Sequence, residues 1–280
     1  MKKTIVTLIV YLYAQTIVSQ TAFDSSIALV PQAANIITAS TIVKIENLGI
    51  NINSDLPELR PTISADGNLL FFICQNHPAN TKFRSVPNSQ DIWYSKRDSL
   101  GNWCEARHMR SPLNSTHYNA VYWISPDNNR ILIRGAFTEG AFLGKGVSMS
   151  RLQADSTWSA PDMLYIKNYE KYDNGRQSGA TMAHDGQTLL LYMTPERGSP
   201  ENDLYVCFLT ANGSWTEPKS LGKKINLPGY DEMTPYLAAD GVTMYFSSNR
   251  PGGLGDNDIW MTKRLDKTWQ KWSEPVNLGS

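Results

Sequence analysis

Apolar positions along this chain fall in short runs broken by turn-forming residues, and the runs recur. Ser64-Ala65-Asp66-Gly67-Asn68-Leu69-Leu70-Phe71-Phe72 returns as Ser125-Pro126-Asp127-Asn128-Asn129-Arg130-Ile131-Leu132-Ile133, as Ala183-His184-Asp185-Gly186-Gln187-Thr188-Leu189-Leu190-Leu191, and as Ala239-Asp240-Gly241-Val242-Thr243-Met244-Tyr245-Phe246. The aspartates Asp66, Asp127, Asp185 and Asp240 are spaced 61, 58 and 55 apart. Asp-Gly or Asn-Asn between apolar stretches supplies the positive-φ residues of a tight hairpin turn, and the flanks alternate or run apolar as strands do.

Two further landmarks keep the same order. Asp91-Ile92-Trp93-Tyr94 returns as the degraded Val147-Ser148-Met149, as Asp203-Leu204-Tyr205-Val206 and as Asp258-Ile259-Trp260-Met261, a third strand. Trp103, Trp158, Trp215 and Trp272 each lead toward a proline, Pro112, Pro161, Pro218 or Pro275, as a fourth strand on an outer edge, where a missing N–H is tolerated. Four strands in about 57 residues make one blade, so the pattern predicts an all-β propeller of four repeats, with blades at about 54–113, 114–170, 171–225 and 226–280. The recurrent tryptophan is expected to fill the wedge between twisted neighbouring blades. Trp123 and Trp269 have no counterparts and are expected to matter less. No window longer than about ten residues keeps a helical period.

Composition narrows the class. The chain has 280 residues, 41% of them hydrophobic and 19% charged, which is too apolar for a disordered polymer. Lys plus Arg and Asp plus Glu are 26 each, without the basic excess of a nucleic-acid binder. Three cysteines allow at most one bridge. Cys74 and Cys207 lie in apolar strands of different repeats, so both are expected to be buried and unpaired.

The amino terminus reads as an address. Lys2-Lys3, an apolar run from Ile5 to Tyr13 and a small residue at Ser19 follow the order of a secretory signal over residues 1–19, with a leader arm at 20–40 and the propeller at 41–280. A membrane-spanning helix needs about 20 apolar residues, and polar residues begin at Gln15. The expectation is export, with no transmembrane segment in the mature chain.

Glu58-Leu59-Arg60-Pro61, Glu232-Met233-Thr234-Pro235, Tyr245-Phe246-Ser247-Ser248-Asn249-Arg250, Asp258-Ile259-Trp260 and Trp272-Ser273-Glu274-Pro275 together resemble the WD40-like β-propeller repeat of the TolB type. The second repeat departs from it, with Val147 where the strand aspartate stands elsewhere. The resemblance implies an exported Gram-negative envelope protein, often joined to an OmpA-like domain, that binds an envelope protein or peptide, including a peptidoglycan-associated complex. Leu48-Gly49-Ile50-Asn51-Ile52-Asn53 repeats the phrase Leu221-Gly222-Lys223-Lys224-Ile225-Asn226. Two readings follow: residues from about 41 to 49 close a four-bladed ring on the last blade, or the chain is a shortened copy of a larger ring.

Catalytic signatures are absent from the sequence. His77, His108, His117 and His184 have no metal-ligand spacing, no Cys-x-x-Cys occurs, and neither a nucleophile elbow nor a phosphate loop is present, so no metal or cofactor is expected. Residues 251–258 gather carboxylate and amide groups but read as a loop in which Asp258 caps backbone N–H groups. Binding is expected at the channel mouth, from Glu58, Arg60, His117, Tyr118, Arg176, Asp231 and Glu232, with Arg250 approaching from a second strand. The enzymatic alternative is a propeller glycoside hydrolase or carbohydrate-binding protein, recognisable by two carboxylates about 5–10 Å apart across a pocket.

Overall fold

The computed structural model describes residues 46–81, 89–116, 118–175 and 177–279. The expected signal peptide at 1–19, the whole leader arm at 20–40, residues 41–45 of the expected ring-closing segment, His117 and Arg176 lie outside the described residues. Sixteen strands form four antiparallel sheets in chain order. Blade 1 holds β1 (Glu58–Ile63), β2 (Leu69–Gln75), β3 (Gln90–Lys96) and β4 (Arg107–His108). Blade 2 holds β5 (Val121–Ile124), β6 (Arg130–Thr138), β7 (Ala141–Arg151) and β8 (Asp162–Met163). Blade 3 holds β9 (Gly179–Met182), β10 (Thr188–Met193), β11 (Asp203–Phe208) and β12 (Lys219–Ser220), and blade 4 holds β13 (Glu232–Leu237), β14 (Thr243–Ser248), β15 (Asp258–Lys263) and β16 (Val276–Asn277). The only helical element among the described residues is a 3-10 turn at Tyr169–Lys171. The protein is a four-bladed β-propeller, with inner strand β1 packed on β5, β5 on β9 and β9 on β13.

The turn aspartates explain why the first hairpins form. Each carboxylate accepts the N–H two residues on, from Asn68, Asn129, Gln187 and Val242, while Gly67, Asn128, Gly186 and Gly241 supply the positive φ. Ser64 and Ser125 hydroxyls or Thr188 and Thr243 hydroxyls add a second bond to the same aspartate. The Glu58 and Glu232 strands share a bulge as well: Arg60 and Thr234 stand at φ 50 and 47, where the register shifts.

Each apolar cluster sets an aliphatic residue from the segment entering a blade against that blade's tryptophan. Ile52 packs with Trp103, Leu113 with Trp158, Ile166 with Trp215 and Ile225 with Trp272. Three of these clusters also join adjacent blades: Phe71 with Ile131, Leu132 with Leu189, and Leu190 with Phe246. The fourth, behind blade 1, is completed by Leu48, Ile52 and Leu56 rather than by blade 4. On the face of blade 4 turned away from blade 3, Tyr236 is 58% exposed, and Tyr245, Met261 and Val276, in register with it, are half-buried.

Two asparagines stitch the entering segments to the preceding blade. Asn226 Oδ1 accepts from the Leu204 N–H at 2.8 Å while its Nδ2 donates to the Leu204 carbonyl at 2.9 Å, and Asn114 does the same with Ile92. Each amide oxygen thus satisfies a third-strand N–H beyond the end of the two-residue fourth strand, while the carbonyl of the same residue also accepts from the Leu221 or Met109 N–H.

Trp103, Trp215 and Trp272 are buried wedges, whereas Trp158 in the divergent blade is half-buried. The expectation for Trp123 and Trp269 is corrected. Trp123 is 8% exposed in the cluster between blades 2 and 3, and Trp269 is 6% exposed, edge-on to Trp272 at 5.8 Å and to Phe208 at 5.9 Å. Absence of a repeat counterpart says nothing about burial: Trp123 lies on inner strand β5 and Trp269 in a loop, and both fall within apolar clusters. Cys74 and Cys207 are buried and unpaired in blades 1 and 3; burial pushes the Cys74 thiol up to about 11 and the Cys207 thiol higher still.

Candidate functional site

A cleft of about 730 Å³ opens over blade 3 at its junction with blade 4. Its walls are the segment entering β9 (Asn174, Gly175, Gln177), the loop from β10 to β11 (Thr194 to Asn202) and Asp231 at the start of β13. Close approach makes it possible. A Cβ on Gly175 would fall inside the Thr194 side chain, and one on Gly179 would strike the Tyr192 ring. Asn174 ties the two loops by donating its Nδ2 to the carbonyls of Lys171 and Pro195.

The polar wall is a chain of amides and hydroxyls. Thr194 Oγ1 donates to Asn202 Oδ1 at 3.0 Å, and Asn202 donates from both its backbone N–H and its Nδ2 to Asp231 Oδ1 at 2.8 Å. Asp231 is the one carboxylate among the lining residues, and Arg197 is their one cation. The described lining residues offer mainly hydrogen-bonding amides and hydroxyls.

Beneath the same segment lies a buried polar cluster. Asp173 takes bonds from the Tyr169 hydroxyl and the Ser178 hydroxyl, each at 3.0 Å, and pairs with Lys145 of β7 at 3.2 Å. Tyr122 donates to the Ser178 carbonyl at 2.9 Å, and burial raises its phenol to about 12. Near the axis Arg60 lies over the rings of Tyr122 and Tyr192, 5.3 and 5.6 Å from their centroids, and donates to the Tyr192 hydroxyl.

The remaining sequence-selected residues occupy separate places. Glu58 is half-buried at the rim and accepts from the Ser54 N–H and hydroxyl. Tyr118 lies under the Arg134 guanidinium, 5.4 Å from its ring, and its carbonyl accepts from Arg134. Glu232 and Arg250 are closed to water inside blade 4, paired at 3.1 Å, with Arg250 also donating to the Lys224 and Ile225 carbonyls. Burial pushes the Glu232 carboxyl up to about 7 against the opposing pull of Arg250. Of the selected residues that are described, only Asp231 lines the cleft and only Arg60 reaches across the blades at the axis.

The strand aspartates serve the scaffold in different ways. Asp91, fully buried, accepts from the Thr81 N–H, Asn119 Nδ2 and His108 Nε2. Asp258 caps the Leu254 and Gly255 N–H groups, as expected of the glycine-rich loop. Asp203 is half-buried beside the Tyr205 hydroxyl, and burial raises its pKa. Among the described residues no group of three or more His, Cys, Asp or Glu side chains is placed to hold a metal ion, and no helix is long and apolar enough to cross a membrane.

Sequence reasoning missed the entering-segment aliphatics, the two stitching asparagines, Asp173 with Lys145, and the loop from Thr194 to Asn202. The dipeptides Leu113-Asn114 and Ile225-Asn226 carried a readable signal for the first two. The cleft loop carried little, because its counterpart at 249–257 in blade 4 has the same length but few of the same side chains.

No family model and no curated protein matches the chain. Among solved structures it is similar to a glycoside hydrolase, with a TM-score of 0.47 and 12% identity over 79% of this chain and 74% of that one. It is similar to the β-propeller domain of the Trilobed protease from Pyrococcus furiosus, with a TM-score of 0.39, 14% identity, and 79% and 55% of the two chains covered. It also aligns with prolyl oligopeptidase B from Galerina marginata, with a TM-score of 0.38 and 14% identity over 78% of this chain, which spans only 29% of that enzyme.

Proposed function

We propose that the protein is an exported, non-catalytic propeller of the bacterial envelope that holds an extended peptide segment of a partner protein in the cleft over blades 3 and 4. The observation that carries this reading is the lining: a groove of amides and hydroxyls with one carboxylate, already engaged by Asn202. Such a surface matches the alternating N–H and C=O groups of a peptide, and a rigid concave site with a few placed polar groups is where ligands bind. Export and the TolB-type assignment rest on the amino-terminal pattern and the repeat motif. Fold alone does not choose a function.

The test compares the mature protein with Asp231→Lys and Thr194→Trp variants in cross-linking to envelope proteins, alongside turnover of chromogenic glycosides. Expected are a defined cross-linked polypeptide lost in both variants, no turnover, and a natural amino terminus near Gln20 in the periplasmic fraction. Glycoside turnover abolished by Asp231→Asn would establish the hydrolase instead. Saturable retention of an oligosaccharide without a polypeptide partner would establish a carbohydrate-binding protein.

A further inference from the structure

Arg60 occupies a place that packing does not require. Its backbone stands at φ 50, the left-handed region that a side chain with a Cβ enters only at a cost. The position equivalent to it in blade 4 is Thr234, in the same bulge, so the bulge itself does not call for a cation. From there the side chain meets Tyr122 of blade 2 and Tyr192 of blade 3.

Its partners are neutral. The guanidinium has five N–H groups, and its one acceptor among the described residues is the Tyr192 hydroxyl. The groups that act on its charge are the phenols of Tyr192 and Tyr122, and no described carboxylate lies within ion-pair distance of it. Arg250 shows what the same molecule does with a structural arginine: it pairs with Glu232 and donates to two carbonyls. The side chain is half-buried, and against the cost of burial the two phenols favour its charged form, so the guanidinium stays ionised with no described anion beside it.

We propose that Arg60 is a carboxylate-binding site at the propeller axis, completed when a ligand's carboxylate meets the free edge of the guanidinium. The planar fork matches a carboxylate with two parallel N–H bonds, and the tyrosine faces fix its plane so that little freedom is lost on binding. Cation–π attraction holds the guanidinium in place when no ligand is present. Tyr192 joins this point to the cleft, since it lies two residues before Thr194 on the same side of the strand and touches the segment at Gly179. The inference stands apart from the identity of the cleft's occupant.

The test uses the mature protein with ¹⁵N-labelled arginine, titrated with sodium acetate against sodium chloride at constant ionic strength. Arg60→Gly is the variant of choice, because glycine adopts φ 50 without strain and the cation is removed. Expected are a saturable shift of the Arg60 Nε–Hε signal with acetate and not with chloride, and an acetate-dependent rise in melting temperature that Arg60→Gly loses. The variant should melt in chloride no lower than the wild type. An equal response to chloride, a shift that never saturates, or an acetate response retained in Arg60→Gly would overturn the proposal. A response to phosphate alone would overturn the choice of carboxylate. If Arg60→Gly melts lower, the wild-type titration decides alone. Asp231→Lys should leave this titration unchanged while abolishing cleft binding, so the two readings fail separately.

Discussion

The Glu232 carboxylate lies 3.1 Å from the Arg250 guanidinium with 0% and 6% of the two side chains exposed. Burial outweighs the attraction, lifting the Glu232 carboxyl from its ordinary 4.5 to about 7. A carboxyl with a raised folded pKa binds its proton more tightly when folded. Its contribution to stability is therefore complete below about pH 4.5 and is lost as pH rises through about 7. Glu232→Gln, which cannot ionise, should remove this decline, as seen by urea unfolding across that window. Arg250→Met in the otherwise unchanged protein should cost about 3–5 kcal/mol at pH 8, where it strands a buried carboxylate.

Trp269 and Trp272 should be equally sensitive. They meet edge-on at 5.8 Å in one cluster, so replacing either by alanine should cost about 3–5 kcal/mol in denaturant melts. Trp158→Ala, at a half-buried position, should cost less than Trp215→Ala.

Gly175→Ala tests the floor of the cleft. Its added methyl group meets Thr194 with no left-handed backbone involved, so the cost is steric and about 1–3 kcal/mol. Pairing it with Thr194→Ala should restore most of that loss, measured as a double-mutant cycle.

Asn226→Ala should cost about 1–3 kcal/mol, since the Leu204 N–H loses its partner inside the protein. Hydrogen exchange at Leu204 should quicken in the variant. Replacing Asn226 by Asp should restore slow exchange at Leu204, because a carboxylate oxygen accepts from that N–H while the Leu204 carbonyl keeps its bond from the Leu221 N–H.

The seam between blades 4 and 1 should be the first to open. Tyr236, Tyr245, Met261 and Val276 lack the burial that Phe71, Leu132 and Leu190 have at the other seams. Amides of β13 to β16 should therefore exchange faster than those of β9 to β11, which are packed on both faces.

Blade number, strand count and turn chemistry were legible because they rest on local rules repeated four times: an aspartate two residues before an N–H, and a residue that tolerates positive φ. The site was not, because repeats preserve position and not partner. Glu58 and Glu232 hold the same register, yet blade 1 has Asn76 where blade 4 has Arg250, and so one glutamate caps Ser54 at the rim while the other is sealed inside. The cleft depends on side chains that change within a shared loop frame: residues 194–202 match 249–257 of blade 4 in length, yet Arg197 stands where blade 4 has Gly252.

Ile52, Leu113, Ile166 and Ile225 each precede the blade whose tryptophan they cover. The heritable module is therefore offset from the sheet it builds, beginning at the aliphatic residue and ending at the outer strand. A gene duplication cut at the sheet boundary would deliver a blade with a bare tryptophan; one cut a few codons earlier delivers a blade carrying its own cover. Grafts or deletions of whole blades should be tolerated only when their junctions fall before these four positions.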